Sequence, residues 1–413
     1  MPEMTLVIAA RDESRWVLET VRSALEESKG LAEVIVVDDG SKVPVPDIRG
    51  ATVVRNPAPI GLFASKRLAA SMASTSVLVV SDSHCWFRPG FFAAMLDAAL
   101  AHPDCLSVAQ CWGLMLPTPE EFKAGFRGKA DKPGEALVGS DEATWAFDLS
   151  AAKGTYRGAN MVVRRERDEK GNLRVLECCW QSKLRGDEPI PAAMGSCYTT
   201  TKSFWEKADM LAGLRVWGGA EPDMSLRAWL CGGGVRLVTQ ANHVHLFRKA
   251  APYPPDCAGI WFNRMRMAAT LCPREVGLPL RDELAAIHPA SAKLLGADPH
   301  LVRDALRFDE VRRPGSWGEY LERFPQIVYE PRRGNSLHPV GCKEIPSLPK
   351  GPPAGGPPPQ ATTPSPVLSL SDWSPPSGEM SESDSVHAGI QKLVKTSHAW
   401  RMRFLKGEYD GQG

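Results

Sequence analysis

The sequence VLVVSDSH, at residues 77–84, indicates the architecture of the whole chain. Its first four residues are apolar and mostly β-branched, which is typical of a strand buried on both faces of a parallel sheet. Side chains two residues apart on an extended segment point the same way, so we expect Asp82 and His84 to converge beyond the carboxyl end of the strand. Open α/β sheets bind their ligands at that edge. A carboxylate beside an imidazole suits a divalent ion such as Mn²⁺, whereas the alternative interpretation is a strand followed by a polar turn.

Further strands with polar ends precede this one. We expect strands at residues 5–10, 33–37 and 51–55, with helices at about 16–27 and 63–73. The spacing of strand, helix and strand predicts parallel pairing with a right-handed crossover. Arg11 and Asp12 follow the first strand and Asp38 and Asp39 the second, so polar groups collect at one edge of the sheet, as in a doubly wound nucleotide site. Because no Gly-x-Gly-x-x-Gly or Walker loop is present, phosphates would be neutralised by a metal and by side chains.

The composition is that of an ordinary soluble globular protein. The chain has 413 residues, of which 43% are hydrophobic and 23% charged, and 49 basic residues balance 48 acidic ones. With a net charge of +1, no global field attracts nucleic acid or a membrane surface. No uninterrupted run of about 18 apolar residues predicts a membrane span. The N-terminus lacks a signal-peptide pattern and the ten cysteines show no zinc spacing, so we expect reduced thiols and a cytoplasmic location.

Several motifs, taken together and in order, resemble those of the GT-A nucleotide-sugar glycosyltransferases, in particular family 2 enzymes and the polypeptide N-acetylgalactosaminyltransferases. The matching stretches are VDDGS at 37–41, Arg55, Gly61-Leu62, DSHC at 82–85, WGGAEPDMSLRAWLCGG at 217–233 and HLFRK at 245–249. The resemblance covers roughly residues 4–115 and 190–330. It implies an α/β fold of the GT-A (Rossmann-like) kind, with a mostly parallel sheet flanked by helices, to which the sequence adds an inserted hairpin and a disordered Pro-rich C-terminal tail.

The same resemblance implies a metal cofactor, Mn²⁺ or Mg²⁺, that bridges the diphosphate of the donor. Asp82, His84 and His245 match its three protein ligands. Spacing alone leaves His243 as a rival, and a histidine in such a strand is more commonly a core or surface residue. The Phe-Arg-Lys that follows favours His245.

Donor binding is implied for nine further positions, namely Arg11, Asp12, Asp39, Arg55, Gly61, Lys66, Trp217, Arg248 and Tyr253. Arg248 and Tyr253 match positions that contact the diphosphate, and an arginine fork suits phosphate oxygens. Asp39, with Asp12 and Arg11, matches the uracil and ribose end. The alternatives are a capped turn at residues 38–39 and a core role for the tryptophan.

Glu221 and Asp223 are the candidate catalytic acids. The N-acetylgalactosaminyltransferases carry Glu-Asn where this chain has Ala220-Glu221, whereas inverting family 2 enzymes place a general base at the position of Glu221. Inversion requires a carboxylate that takes the proton of the attacking hydroxyl, so we favour Glu221 as the base. Alternatively, Glu221 is an acid favoured by a helix N-terminus, with Pro222 in the first turn.

The sequence predicts five segments. These are a nucleotide-sugar-binding half at 1–116, an inserted acceptor-side subdomain at 117–189, an acceptor and catalytic half with C-terminal helices at 190–335, a Pro/Gly/Ser-rich linker at 343–387 and a short basic helical tail at 388–413. Within the insertion, residues 160–165 and 173–178 flank a turn and predict a hairpin. Its surroundings are basic, which fits an anionic acceptor such as nucleic acid, although a solvated hairpin face is the more ordinary explanation.

The expected function is a metal-dependent, inverting glycosyltransferase that moves a sugar from a nucleoside diphosphate sugar, expected to be a UDP-sugar, to a hydroxyl acceptor. The acceptor is a glycan, a protein Ser or Thr, or a hydroxymethylated DNA base. Two alternatives remain open. A non-catalytic nucleotide-sugar-binding module is favoured by the Ala220 departure, and a nucleotidyltransferase would use a similar sheet and metal but attack the α-phosphate.

Overall fold

The structure, a computed structural model, describes residues 1–116, 155–165, 174–182, 184, 189–248 and 256–327. All of them belong to one unit, Met1–Val340. Most of the predicted insertion, the predicted Pro-rich linker and the predicted basic tail lie outside the described residues. The five-segment division of the chain therefore stays a prediction.

Strands and helices alternate through the first part of the chain, close to the predicted bounds. The elements are β1 (Met4–Ala10), α1 (Ser14–Ser28), β2 (Ala32–Asp38), β3 (Thr52–Arg55), α2 (Leu62–Met72), β4 (Val77–Ser81), β5 (Cys85–Phe87), α3 (Phe91–Ala101) and β6 (Cys105–Leu116).

The later elements begin with short strands and end with helices. They are β7 (Thr155–Tyr156), β8 (Ala159–Arg165), β9 (Arg174–Trp180), β10 (Pro189–Ile190), β11 (Cys197–Thr201), α4 (Lys202–Lys207), α5 (Ala220–Cys231), β12 (Gly234–Arg248), α6 (Cys257–Leu271), α7 (Arg274–Ile287), α8 (Pro289–Gly296), α9 (Leu301–Val311) and α10 (Ser316–Arg323). β8 and β9 pair antiparallel, so the predicted hairpin is confirmed.

The main sheet has the strand order β10-β12-β6-β11-β4-β1-β2-β3. β1 pairs in parallel with β2 and β4, and β2 pairs in parallel with β3, which confirms the predicted mostly parallel sheet. β11 is antiparallel to both of its neighbours, β4 and β6, and β12 returns to a parallel pairing with β6.

Both faces of β1, β2 and β4 are buried, because successive side chains enter two different cores. Leu6 and Ile8 of β1 pack with residues of α1 and α3 on one side. Val7 belongs to the core on the other side, which also contains Phe63 of α2 and residues of α5 and α6. This arrangement explains why the strands are apolar throughout rather than alternating.

A bulge in β12 sets the position of its last residues. The pairing with β6 runs regularly to Val238 opposite Ala109 and resumes with Asn242 opposite Gln110. The three residues between have no register partner in β6, although the side-chain amide of Gln110 donates to the carbonyl of Thr239. Beyond the bulge β12 also pairs with β5, which places His245 opposite Cys85. His245, which is distant from β4 in the sequence, thereby reaches the carboxyl edge of that strand.

Two further predictions concern membranes and cysteines. None of the described helices is long and apolar enough to cross a bilayer. Eight cysteines of the described part are free thiols. The cytoplasmic location stays a prediction.

Candidate active site

The structure brings the three predicted metal ligands, Asp82, His84 and His245, together in a group that we call the metal cluster. Asp82 and His84 lie in the turn that joins β4 to β5, and His245 reaches them from β12. Their ligand atoms all lie within 4.8 Å of one another. Asp82 Oδ2 is 3.6 Å from His245 Nε2, and the two imidazole ring centroids are 4.8 Å apart.

Backbone hydrogen bonds fix the turn that carries two of these ligands. The N–H of Asp82 donates to the carbonyl of Ser196 over 2.9 Å. The N–H of Leu246 donates to the carbonyl of His84 over 3.1 Å. The turn is therefore attached on one side to the residue before β11 and on the other side to β12.

Side-chain partners orient the same ligands. Lys66 Nζ, which is buried, donates to Asp82 Oδ1 over 2.7 Å. His84 Nδ1 lies 2.8 Å from Glu13 Oε2. A carboxylate therefore holds one ring nitrogen, and Nε2 is the ring nitrogen that would bind a metal. Metal-binding histidines are commonly held in this way by a second carboxylate.

The chemistry of the cluster fits a divalent cation. One carboxylate and two imidazoles form a mixed oxygen and nitrogen donor set, which suits Mn²⁺ and similar borderline ions. Burial alone would raise the pKa of Asp82, but the Lys66 ammonium and the two imidazoles lower it more strongly. Asp82 is therefore a carboxylate, the form that binds metal.

His243, the rival ligand, has a different environment. Its Nε2 is 2.9 Å from Ser196 Oγ, and the side chain is fully buried. Burial lowers the pKa of His243 to about 3, so its ring is neutral at pH 7. The residue lies in the core behind the cluster, whereas His245 lies in it.

Asp39, predicted to bind the donor, and its neighbour Asp38 at the end of β2 accept hydrogen bonds from backbone groups of two loops. Asp39 accepts from the N–H groups of Ile60 and Gly61 over 2.7 and 2.9 Å. Asp38 accepts from the N–H of Ser41 over 2.9 Å. Gly61 itself has φ +99°, a conformation that favours glycine, and precedes α2 directly. Asp39 thus shapes the loop from which α2 begins, and Asp38 shapes the loop after β2.

The carboxyl edge of the sheet also carries Arg55, Asp12 and Arg11. Arg55 Nη1 contacts Asp38 Oδ2 at 2.5 Å, and Nη2 donates to the carbonyl of Ser41 over 2.8 Å. Asp12 is exposed, with φ +55°, and accepts from the N–H of Lys42 over 2.7 Å. Arg11 is exposed beside it. Of the diphosphate positions, only the backbone of Arg248 is described, and Tyr253 lies outside the described residues.

Glu221 lies in the first turn of α5, and its carboxylate contacts other protein side chains. Tyr198 donates its hydroxyl to Glu221 Oε1 over 3.3 Å. Burial raises the pKa of Glu221, and the Asp82 carboxylate raises it further, against the opposing effects of Lys66 and Tyr198. A Cβ at Gly195 would lie 2.8 Å from Glu221 Oε1, so glycine leaves the space that the carboxylate occupies.

Asp223, the other candidate acid, points into the interior. Both of its oxygens lie 3.0 Å from Arg227 Nε, and Oδ2 also accepts from the N–H of Leu211 over 3.0 Å. The side chain is fully buried. Its contacts join α5 to the segment before it, and none of them is to the metal cluster or to Glu221.

An aromatic wall extends from the metal cluster to the hairpin. Phe247 packs against His245 with centroids 4.6 Å apart, and against Trp180 at 5.4 Å. Trp180 in turn meets Tyr156 at 5.1 Å. Trp217, predicted to bind the donor, is 56% exposed and lies on the loop just before α5.

Three contacting residues were absent from the predicted site. Glu13 follows β1 at the ligand edge of the sheet, a position that the sequence pattern does indicate. Tyr198 and Gly195 lie on or near β11, whose antiparallel entry between β4 and β6 no local pattern predicts.

Comparisons with known proteins agree with this arrangement. The model of the family described as "Glycosyl transferase family 2" matches residues 5–122. Polypeptide N-acetylgalactosaminyltransferase 13 of Homo sapiens is 28% identical over 358 residues, which cover 82% of this chain and 57% of that protein. Polypeptide N-acetylgalactosaminyltransferase 6 of Mus musculus is 26% identical over 290 residues, which cover 65% of this chain and 41% of that protein. The chain thus spans about half the length of these curated relatives.

A solved structure shares the fold. The crystal structure of GalNAc-T7 with UDP, GalNAc and Mn²⁺ superposes with a TM-score of 0.52 at 18% identity, covering 78% of this chain and 57% of that one. The fold is therefore the GT-A fold, and the predicted resemblance to GT-A glycosyltransferases, including the polypeptide N-acetylgalactosaminyltransferases, is confirmed.

Proposed function

We propose that the chain is a glycosyltransferase that moves a sugar from a UDP-sugar to a hydroxyl acceptor, with a divalent metal held by Asp82, His84 and His245. The convergence of these three ligands from two distant parts of the sequence carries the proposal. The names of the curated relatives support the reaction class. The ions and ligands of the GalNAc-T7 crystal agree with a UDP donor and Mn²⁺.

The donor would bind along the carboxyl edge of β1, β2 and β4. When bound, the metal supplies positive charge to the diphosphate as the nucleotide departs. Lys66, 2.7 Å from Asp82, adds a second positive charge beside that place. The loop shaped by Asp39 and the exposed Asp12 and Arg11 would form the nucleoside end. Lys66, Asp39, Asp12 and Arg11 all lie within residues 1–116, the segment predicted to bind the nucleotide sugar.

Glu221 would act as the general base. The acceptor oxygen forms a bond to the anomeric carbon while the bond from that carbon to the phosphate oxygen breaks, and the electron pair of that bond leaves with UDP. The hydroxyl proton passes to the Glu221 carboxylate. A single displacement of this kind inverts the anomeric configuration. Burial and the negative charge of Asp82 raise the pKa of Glu221, and a base with a raised pKa suits proton transfer near neutral pH.

The acceptor would approach from the hairpin side, past Trp180 and Tyr156. The names of the curated relatives give a polypeptide as the acceptor. We therefore propose a Ser or Thr hydroxyl of a polypeptide as the acceptor of this chain.

The test uses the purified full chain with Mn²⁺ and a panel of UDP-sugars, with and without Ser/Thr peptides. Free UDP that depends on both metal and peptide, with a peptide heavier by one sugar, is the expected result. The anomeric configuration of the product, read by NMR, distinguishes inversion from retention. Release of pyrophosphate would indicate nucleotidyl transfer, and tight UDP binding without any turnover would indicate a binding module. Either outcome contradicts the proposal.

A further inference from the structure

The segment that leads into α5 has an unusual backbone. Six of its residues have positive φ, namely Asp209 (+52°), Leu211 (+62°), Gly213 (+70°), Val216 (+49°), Gly218 (+87°) and Gly219 (+97°). A positive φ is strained for residues other than glycine, above all for a β-branched one such as Val216. Such a backbone persists only where its surroundings hold it. We call residues 209–219 the approach segment, because they carry Trp217 and lead into the helix of Glu221.

One buried amide holds the part of the approach segment around Trp217. Asn263 Oδ1 accepts from the N–H of Arg215 over 2.7 Å. Asn263 Nδ2 donates to the carbonyls of Arg215 and Gly218 over 2.7 and 2.8 Å. The side chain has no exposed surface. Both amide hydrogens and the amide oxygen are thus committed to the two residues that flank Val216-Trp217.

The helix that carries Asn263 also contacts the glycines of this segment. A Cβ at Gly218 would lie 3.3 Å from Ile260, and a Cβ at Gly219 would lie 3.2 Å from Met267. One turn further along α6, Arg266 donates to the carbonyl of Ala212 over 2.9 Å. The approach segment therefore lies directly on α6, and the amide of Asn263 is its central polar contact there.

These contacts connect Asn263 to the proposed base. Gly219 is the N-cap of α5, and its carbonyl accepts the first helical hydrogen bond, from the N–H of Asp223 over 3.1 Å. Glu221 is the second residue of that helix. Movement of the backbone at Gly218 would consequently move the start of α5 and the carboxylate with it. Trp217 lies between the two clamped residues, so its outward direction depends on the same amide.

We propose that Asn263 is a positioning residue for the reaction, which sets Glu221 and Trp217 by clamping the backbone at Arg215 and Gly218. The inference rests on the proposed function. Asn263 does not touch a substrate and acts only through the approach segment. Misplacing a reacting group by about 1 Å can cost roughly 100-fold in rate. Loss of the clamp should therefore reduce kcat more than it reduces the affinity for UDP, whose phosphates would be held by the metal cluster.

Two substitutions test the two halves of the clamp. Asn263→Ala removes all three hydrogen bonds. Asn263→Asp keeps an acceptor for the N–H of Arg215 but loses both donors to the carbonyls. Thr270→Val is the matched control, since the buried Thr270 hydroxyl bonds the carbonyl of Arg266 within the same helix over 2.9 Å. If the alanine variant does not fold, the near-isosteric aspartate variant provides the test through kcat, since it keeps the acceptor of the Arg215 N–H.

We expect kcat to fall roughly 10- to 100-fold in both Asn263 variants, with the Kd for UDP and Mn²⁺ within about threefold of the wild type. Hydrogen exchange should accelerate at the Arg215 amide in Asn263→Ala, and not in β1. Thr270→Val should change neither quantity. Unchanged hydrogen exchange at residues 215–219 in Asn263→Ala, or a kcat within twofold of the wild type in the Asn263 variants, would overturn the role of Asn263. A wild-type chain without turnover would instead overturn the proposed function, and the exchange experiment does not depend on that result.

Discussion

His84 Nδ1 lies 2.8 Å from the carboxylate of Glu13, which comes from the loop after β1. The same Glu13 oxygen accepts from the hydroxyl of Ser83 over 2.8 Å. The imidazole is therefore fixed in one orientation by a residue that is not itself in the metal cluster. This relationship leads to a prediction about metal affinity that does not require turnover.

Glu13→Ala should weaken Mn²⁺ binding by roughly 10- to 100-fold, because the orienting partner of a ligand histidine commonly contributes that much. Calorimetric titration with Mn²⁺ alone measures the effect. Glu19→Ala removes a neighbouring surface acid and should bind the ion as the wild type does. Equal affinities for the Glu13→Ala and Glu19→Ala variants would contradict the orienting role.

Glu221→Gln should lower kcat by roughly 100- to 10,000-fold, the range that a general base contributes. The amide is close to the carboxylate in size, so UDP binding should persist. Steady-state assays and a binding measurement on the same preparation separate the two effects. Transfer at a near-normal rate would argue for a retaining course that needs no base at this position.

The acid side of the pH profile should report Glu221. The base must be deprotonated, and its pKa is raised by burial and by Asp82, so kcat/KM should fall as the pH drops through a value above that of an ordinary glutamate. Tyr198→Phe removes a hydrogen bond that lowers this pKa, and the acid limb should therefore move to higher pH. Tyr320→Phe, which removes a buried hydroxyl bonded to the carbonyl of Pro191, is the control. An acid limb at the same pH in Tyr198→Phe would argue against Glu221 as the titrating group.

Asp223→Ala should affect stability. It would leave the guanidinium of Arg227 buried and without its carboxylate, which costs about 3–5 kcal/mol in the free energy of unfolding. Denaturant unfolding measures this loss. Glu19→Ala, which breaks an exposed ion pair with Arg22, should cost less than about 1 kcal/mol. A fully stable but inactive Asp223→Ala variant would restore Asp223 as a catalytic candidate.

Local sequence patterns predicted the parallel half of the sheet because its strands are short, apolar and regularly spaced with helices. The same patterns predicted that Asp82 and His84 converge, but the structure places both in the turn between β4 and β5, where the hydrogen bonds of the turn rather than alternation along a strand set their direction. His245 required the resemblance to a known family, because its distance from His84 in the chain exceeds what any local pattern can relate. The bulge between Val238 and Asn242, which determines its final position, leaves no signature of its own in the sequence.

Other site residues depend on contacts that only the folded chain creates. Asp39 looks like a ligand-binding acid by its position, yet its carboxylate accepts from two backbone N–H groups of the loop at Ile60 and Gly61. Tyr198 and Asn263 lie in segments whose sequences read as an ordinary strand and an ordinary helix. Their partners are 23 and 48 residues away, respectively, so no spacing rule would have found them.

The bulge in β12 has a consequence for how this protein can diverge. Side chains of a strand alternate between its faces, so removing or adding one residue between Val238 and Asn242 would turn His245 to the opposite face and present an aliphatic neighbour in its stead. The exposed Gln240 can be replaced by many residue types and the fully buried Ala241 cannot, but the number of residues in the bulge is fixed by the ligand downstream. Homologues that keep the histidine should vary at position 240 and be constant in length, and a homologue with a single-residue gap at this place should have lost the cation.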